Sequence, residues 1–391
     1  MKPEVNDEHA LSEWLNNPVN AVFQGLDLIM LSEQILKRPI KGCSFLGCLM
    51  TPNLAEAAAK EKCLILPPIE PTNEAPFEPY SISLYTPAEL YTGYDPNNPL
   101  THDCYLDREI YLSYMNALTK EPIPVSADIL LLRRMHDATI AKALDNIVSR
   151  KNSRIVAIMG GHDRGRNESI YRDIALLGAQ LSKNGYCVAT GGGPGLMEAA
   201  NLGAYAAGFN DTELVIEKAL SRLSSAPLYN DPNWLKVGFE VWQGMGLPQS
   251  PEASTSLGIP TWFYGHEPPN LFATDIAKYF ENSVREEGLL AIAHAGVIFA
   301  EGNGGTVQEI YQDACQNYYR TYSKVKSPMV LLGTEYWNPI NVAYDNVKDK
   351  RKPVYPLLKK LAQEKSFLDY ILLTDSTQEA IEFIQNHPPT Q

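Results

Sequence analysis

Three glycine-rich turns limit what this chain can fold into, because each follows a short apolar run and precedes a helical pattern. They are Gly160-Gly161-His162 after Arg154–Met159, Gly191-Gly192-Gly193-Pro194-Gly195 after Tyr186–Thr190, and Gly302-Asn303-Gly304-Gly305 after Gly296–Ala300. Unbroken apolar runs of this length read as strands buried on both faces. The segments between them have helical period, with Ile170, Ile174, Leu177 and Leu181 on one face. Further strands are expected at Thr261–Tyr264, Met329–Leu332 and Tyr370–Leu373. Helices are expected around Phe272–Gly288, over Val307–Tyr319 and over Thr377–Gln385, with Lys350–Lys365 either helix or loop. Strands alternating with helices imply an α/β, Rossmann-like, doubly wound parallel sheet, whose ligands bind beyond the carboxyl ends of the strands where the strand order reverses.

Residues 1–125 differ in texture and form an accessory N-terminal region. Cys43–Met50 and Cys63–Leu66 read as short strands flanking an Ala-rich helix at Leu54–Lys60, a small additional α/β unit, and the Pro- and Tyr-rich stretch Pro67–Pro99 reads as irregular. Ser126 can cap a helix running to about Arg150, with Ile140, Leu144, Ile147 and Val148 on one face. The expected division is therefore 1–125 and 126–391, with the linker helix 126–150 in the second part.

A net charge of -13, with no basic run longer than Lys350-Arg351-Lys352, excludes nucleic acid as the main ligand. No apolar stretch approaches the roughly 20 residues of a membrane span, and no signal pattern opens the chain, so a soluble cytoplasmic protein is expected. The six cysteines show no Cys-x-x-Cys pair and fit reduced thiols, with Cys43 and Cys48 as small buried hydrophobes. No metal constellation is visible, and no cofactor is called for.

At a strand-to-helix turn, backbone amides converge and the helix dipole adds about half a positive charge, which suits a phosphate. Glycine there also serves tight turns and close helix packing. None of the three turns has the Gly-x-x-x-x-Gly-Lys-Ser/Thr pattern, and none has Gly-x-Gly-x-x-Gly with a following acidic residue, which excludes kinase, GTPase and dehydrogenase readings.

The run Gly191-Gly192-Gly193-Pro194-Gly195-Leu196-Met197-Glu198-Ala199-Ala200-Asn201, with Gly304-Gly305-Thr306-Val307-Gln308-Glu309, resembles the LONELY GUY-type phosphoribohydrolases. Met159-Gly160-Gly161-His162 and Gly265-His266-Glu267-Pro268-Pro269-Asn270 look closer to the longer bacterial nucleotide 5′-monophosphate nucleosidases of the same superfamily. The resemblance spans residues 150 to 385. It implies a Rossmann-like homodimer or higher homo-oligomer that cleaves a nucleoside monophosphate into free base and ribose 5-phosphate with a Glu and an Arg, here Glu309 and Arg285. It implies substrate and phosphate contacts from Gly160, Gly161, His162, Gly192, Gly193, Gly195, Met197, Glu198 and His266, and from Glu301, Gly302, Gly304, Gly305 and Thr306. The usual Pro-Gly-Gly-x-Gly-Thr opening reads here Glu301-Gly302-Asn303-Gly304-Gly305-Thr306. A carboxylate at that point disfavours a dianion unless it faces ribose hydroxyls or pairs with a basic group.

N-glycosidic hydrolysis passes through an oxocarbenium-like state and profits from a carboxylate near the sugar and an oriented water. Glu309, on the first turns of its helix, suits both roles, although an acidic residue there also complements the helix dipole by about 0.3–1 kcal/mol. Arg285 is either a clamp on phosphate or ribose or a surface partner of Glu281. His162 and His266 either donate to a ligand or bond their own loops, and His294 reads as a core histidine. Asp163, Arg164 and Arg166 read as a solvated loop in which Arg164 is the candidate ligand contact. Tyr311, Tyr318, Tyr319 and Tyr322 read as packing residues. The alternative function is a non-catalytic nucleotide or cofactor carrier or sensor on the same fold.

Overall fold

Four very short parallel strands open the chain: β1 (Glu4–Val5), β2 (Val22–Gln24), β3 (Ser44–Leu46) and β4 (Leu64–Leu66), hydrogen-bonded in the order β1-β2-β3-β4. The computed structural model describes residues 2–116, 125–150, 154–264, 268–320, 326–342, 346 and 348–388. Register partners Val22, Ser44 and Leu64 lie 22 and 20 residues apart, so these strands belong to a β-α repeat. Helices Glu8–Asn16, Ser32–Leu36 and Pro52–Lys60 fill the connections; Asp7 caps the first, and Thr51 caps the third with proline at its first position. Phe23 and Phe45 stack with centroids 4.9 Å apart, and Trp14 meets Phe23 edge-on at 4.8 Å. Cys43 and Cys48 are buried among them, and burial pushes both thiols up. Ala21-Val-Phe-Gln-Gly25 and Cys43-Ser-Phe-Leu-Gly47 occupy equivalent register, and both glycines adopt φ +65. β3, β4 and the helix between them fall on the strands and helix expected at Cys43–Met50, Cys63–Leu66 and Leu54–Lys60, whereas β1 and β2, of two and three residues, leave no periodic signal, so the repeat as a whole escapes a sequence reading. Strand order that runs one way has no reversal, and hence no crevice of the kind that holds ligands in open α/β sheets.

The division of the chain differs from a single cut near residue 125. One unit comprises residues 1–84 and 113–143, the other 85–112 and 144–391. Most of the helix Ala127–Arg150 therefore joins the first unit, where Thr139 Oγ1 donates to Pro79 O at 3.2 Å and Lys142 pairs with Glu4 at 3.0 Å. The segment 85–112 joins the second. There Tyr85 pairs antiparallel with Ile276, and buried Asp107 accepts from Lys278 Nζ at 2.6 Å and Trp262 Nε1 at 2.9 Å.

The second unit holds the expected α/β, Rossmann-like parallel sheet: β5 (Ile155–Met159), β6 (Cys187–Thr190), β7 (Ser256–Gly258), β8 (Asp275–Ile276), β9 (Gly296–Phe299), β10 (Met329–Leu332) and β11 (Ile371–Thr374). Their order is β11-β10-β9-β5-β6-β7-β8. Residues Ile155–Met159 are all buried, as a strand covered on both faces requires. Thr261–Tyr264 is not a strand; it makes one isolated bridge, Thr261 to Tyr279, while the strand is Ser256–Gly258, too short for a sequence pattern. The helix expected from Phe272 begins at Asn282, because Asp275–Ile276 is the edge strand of the sheet. Helices Ser169–Lys183 and Leu196–Ala206 cross on small residues. A Cβ on Gly203 would stand 1.8 Å from Ala175 O, and one on Gly178 would stand 2.3 Å from Ala200 O.

Candidate functional site

The chain runs outward from β5 through β6 to β8, then returns to the other side of β5 for β9, so strand order reverses between β5 and β9. A cleft of about 450 Å³ opens there, lined by the β5 turn, the β6 turn and the start of the helix Gly304–Tyr319. Gly160, Gly161, His162, Met197, Gly305, Thr306, Arg285 and Glu309 all line it. Gly161 N donates to Glu301 O at 2.8 Å and Leu196 N to Gly161 O at 3.1 Å, which ties the three turns together.

Several expected contacts serve the scaffold instead. Gly192 has φ +70 and no room for a Cβ beside Pro260, and Gly195, also at φ +70, would place a Cβ 2.4 Å from Gly161 O. Gly193 O accepts Asn270 Nδ2 at 3.2 Å, and Gly302 O accepts the Tyr336 hydroxyl at 2.6 Å. None of these four glycines is among the residues lining the cleft. His266 lies outside the described residues.

Gly304 and Gly305 leave open space where a Cβ would stand, so the backbone of the first turn is approachable. The first helical bond is Val307 N to Asn303 O at 3.1 Å, and Asn303 gives no side-chain cap. Its amide donates instead to Asp163 Oδ2 at 3.1 Å. The amides of Gly304, Gly305 and Thr306 thus precede the helical ladder and carry the positive end of the dipole.

Arg285 does not pair with Glu281 through its side chain. Its Nη1 lies 3.4 Å from Glu309 Oε1, with the two side chains 11% and 13% exposed. Burial pushes the Glu309 carboxyl up to about 7; Arg285 opposes the rise and Glu286 adds to it. Among the described residues, buried Arg285 Nε has no hydrogen-bond partner. Glu286, absent from the sequence reading, organises this side of the cleft. Its Oε1 accepts Tyr264 Oη at 3.1 Å and Asn282 Nδ2 at 2.7 Å, and its Oε2 accepts Gln308 Nε2 at 2.6 Å. Its adjacency to Arg285, and that of Gln308 to Glu309, is the signal that could have flagged both.

Glu301 pairs with Arg164, which also reaches Glu168 at 3.4 Å, so the carboxylate that replaces the usual proline has its charge offset by a guanidinium. Arg166 and Glu198 behave otherwise than expected. Arg166 is not a solvated loop residue but 3% exposed, and Glu198 does not line the cleft but is 1% exposed. They form a two-pronged pair at 2.6 and 2.9 Å, with the Tyr171 hydroxyl donating to Glu198 at 2.8 Å. A glutamate on the first turn beside a glycine loop resembles a ligand contact in sequence; only folding reveals the arginine thirty-two residues earlier as its partner.

His294 is half-buried, and burial lowers its imidazole pKa. The Tyr311 hydroxyl donates to Val354 O at 3.2 Å, Tyr318 packs on Tyr319, and Tyr322 lies outside the described residues. Among the described residues no group of His, Cys, Asp or Glu is placed to hold a metal ion, and no helix is long and apolar enough to cross a membrane.

Fold and site define a Rossmann-like α/β protein with a cleft where the strand order reverses. Residues 153–210, from β5 to just beyond the helix Leu196–Ala206, match the model of the SLOG cluster4 family. No curated protein matches the chain by sequence. Among solved structures, it is similar to the molybdenum cofactor binding protein of the phototrophic bacterium Rippkaea orientalis, at 14% identity and a TM-score of 0.34, over 59% of this chain and 95% of the other. It is also similar to the structural-genomics target TM1055, at 19% identity and a TM-score of 0.33, over 59% of this chain and 98% of the other.

Proposed function

We propose that this chain hydrolyses the N-glycosidic bond of a nucleoside 5′-monophosphate to free base and ribose 5-phosphate. The observation that carries the reading is the buried Arg285–Glu309 pair in the cleft beside the open first turn at Gly304–Thr306. The amides of that turn, the Thr306 hydroxyl and the Arg285 guanidinium, which lines the cleft, can receive phosphate or ribose oxygens. The Arg164–Glu301 pair removes the objection that a carboxylate stands next to the cradle.

As the C1′–N bond breaks, positive charge grows on the ribose, and the Glu309 carboxylate offsets it. Water adds its oxygen to C1′. One of its protons passes to Glu309 and on to the departing base, so that water is divided between sugar and base. A carboxyl with a pKa of about 7 is partly ionised at neutral pH and basic enough to take a proton and return it.

The test is chromatographic detection of free base after incubation with purine and pyrimidine nucleoside monophosphates beside their nucleosides. Release from the monophosphates alone supports the reading. No release from any of them, with thermal stabilisation by one, replaces it with a nucleotide carrier or sensor.

A further inference from the structure

The connection from β5 to β6 contains one helix, Ser169–Lys183, whereas that from β6 to β7 contains three α-helices: Leu196–Ala206, Thr212–Leu223 and Trp234–Met245. The last two form an excursion whose apolar residues Ile216, Leu223, Val237 and Val241 join the core beside the sheet. The turn between them, residues 224–233, carries Tyr229 into the cleft. One buried arginine holds both ends of that turn. Arg166 Nη1 donates to Ala226 O at 3.4 Å and to Trp234 O at 3.0 Å, Arg166 N donates to Pro227 O at 3.0 Å, and the guanidinium carbon lies 4.4 Å from the centre of the Trp234 ring. The Tyr229 ring meets His162 edge-on at 5.6 Å, and among the described residues its hydroxyl has no hydrogen-bond partner.

We propose that Tyr229, backed by His162, is the wall against which the nucleobase lies, and that it sets which base the cleft accepts. This rests on the nucleoside monophosphate reading. The anion-receiving groups belong to the helix Gly304–Tyr319 and to Arg285, and Glu309 belongs with the ribose, which leaves the base for the aromatic surfaces of the cleft. Of these, Tyr264 is engaged, its hydroxyl on Glu286 and its ring centre 6.0 Å from the Arg285 guanidinium. Tyr229 lines the cleft with a hydroxyl that has no partner among the described residues, on a turn that Arg166 holds at both ends, which costs little ordering when a flat ring docks.

Binding is measured calorimetrically on the full-length chain in a Glu309→Gln background, so that ligands are not consumed, with AMP, CMP and ribose 5-phosphate as probes. Tyr229→Ala is expected to weaken the better-bound monophosphate by about tenfold or more, as loss of base stacking does, and to leave ribose 5-phosphate unchanged. Tyr229→Phe is expected to keep the stacking and alter only the ratio of AMP to CMP affinity. Equal loss for the monophosphate and ribose 5-phosphate, or no loss for either, overturns the proposal. Failure of the background protein itself to bind any monophosphate overturns the underlying function, and is recognised before any Tyr229 variant is made.

Discussion

Arg285 Nη1 lies 3.4 Å from Glu309 Oε1, yet the Glu309 carboxyl is held near 7 rather than below the ordinary carboxylate range. Burial outweighs the guanidinium, and the neighbouring Glu286 adds to it. The pair therefore differs from a surface salt bridge, in which the arginine would dominate.

Glu309→Gln should keep nucleotide binding while base release falls by about 10²–10⁴-fold, the usual scale for loss of a positioned acid–base group. Comparing Kd with single-turnover base release checks this, and equal turnover by variant and wild type removes Glu309 from the chemistry.

Because Glu286 raises the Glu309 pKa, Glu286→Gln should lower it. If ionised Glu309 does the work, the acid limb of kcat/KM against pH, near 7 in the wild type, should move to lower pH in the variant. A variant with lower activity but an unmoved limb would mean that Glu286 acts through its bonds to Tyr264, Asn282 and Gln308 alone.

Asp313 is fully buried, neither oxygen has a hydrogen-bond partner among the described residues, and burial pushes its carboxyl up to about 8. The folded state holds this proton more tightly than the unfolded chain, so stability falls as pH rises from the ordinary carboxyl range through about 8 and is level above it. Asp313→Asn should therefore be more stable than wild type at pH 9, by on the order of a few kcal/mol and with a correspondingly higher Tm, and the gap should close towards pH 4; scanning calorimetry at both ends decides it.

Arg166→Met should destabilise the chain by about 3–5 kcal/mol, because it leaves Glu198 buried and charged without its cation. Arg166→Met with Glu198→Gln should recover part of that loss, and a double variant no more stable than the single one would deny the coupling. Denaturant midpoints measure both.

Much of the large sheet was legible because its strands are continuous apolar runs bracketed by glycine turns, as at Ile155–Met159 and Gly296–Phe299. Ser256–Gly258 and Asp275–Ile276 were not, since two or three residues carry no period and the residues nearby that look most strand-like, Thr261–Tyr264, sit in a turn. At the site, local pattern indicates the glycines and the Glu309 helix. It does not indicate that Glu301 meets Arg164, that Arg166 meets Glu198, or that Tyr229 faces His162, because those are contacts between segments distant along the chain. Position beside a motif is no guide to exposure, as Glu198 and Glu309 illustrate: one is sealed in a core network and the other opens on the cleft.

In the N-terminal repeat, Gly25 and Gly47 close their strands at φ +65, and the register places Pro67 at the same point after β4. Proline is confined to φ near −65° and has no N–H to continue the ladder. The last strand of the series is therefore followed by a residue that cannot repeat the step, and the Pro67 carbonyl is taken by the Tyr80 hydroxyl at 2.7 Å. Pro67 thus offers no N–H at the edge where a fifth strand would accept one, and leaves that edge of the stack without the donor that Gly25 and Gly47 supply at the earlier steps.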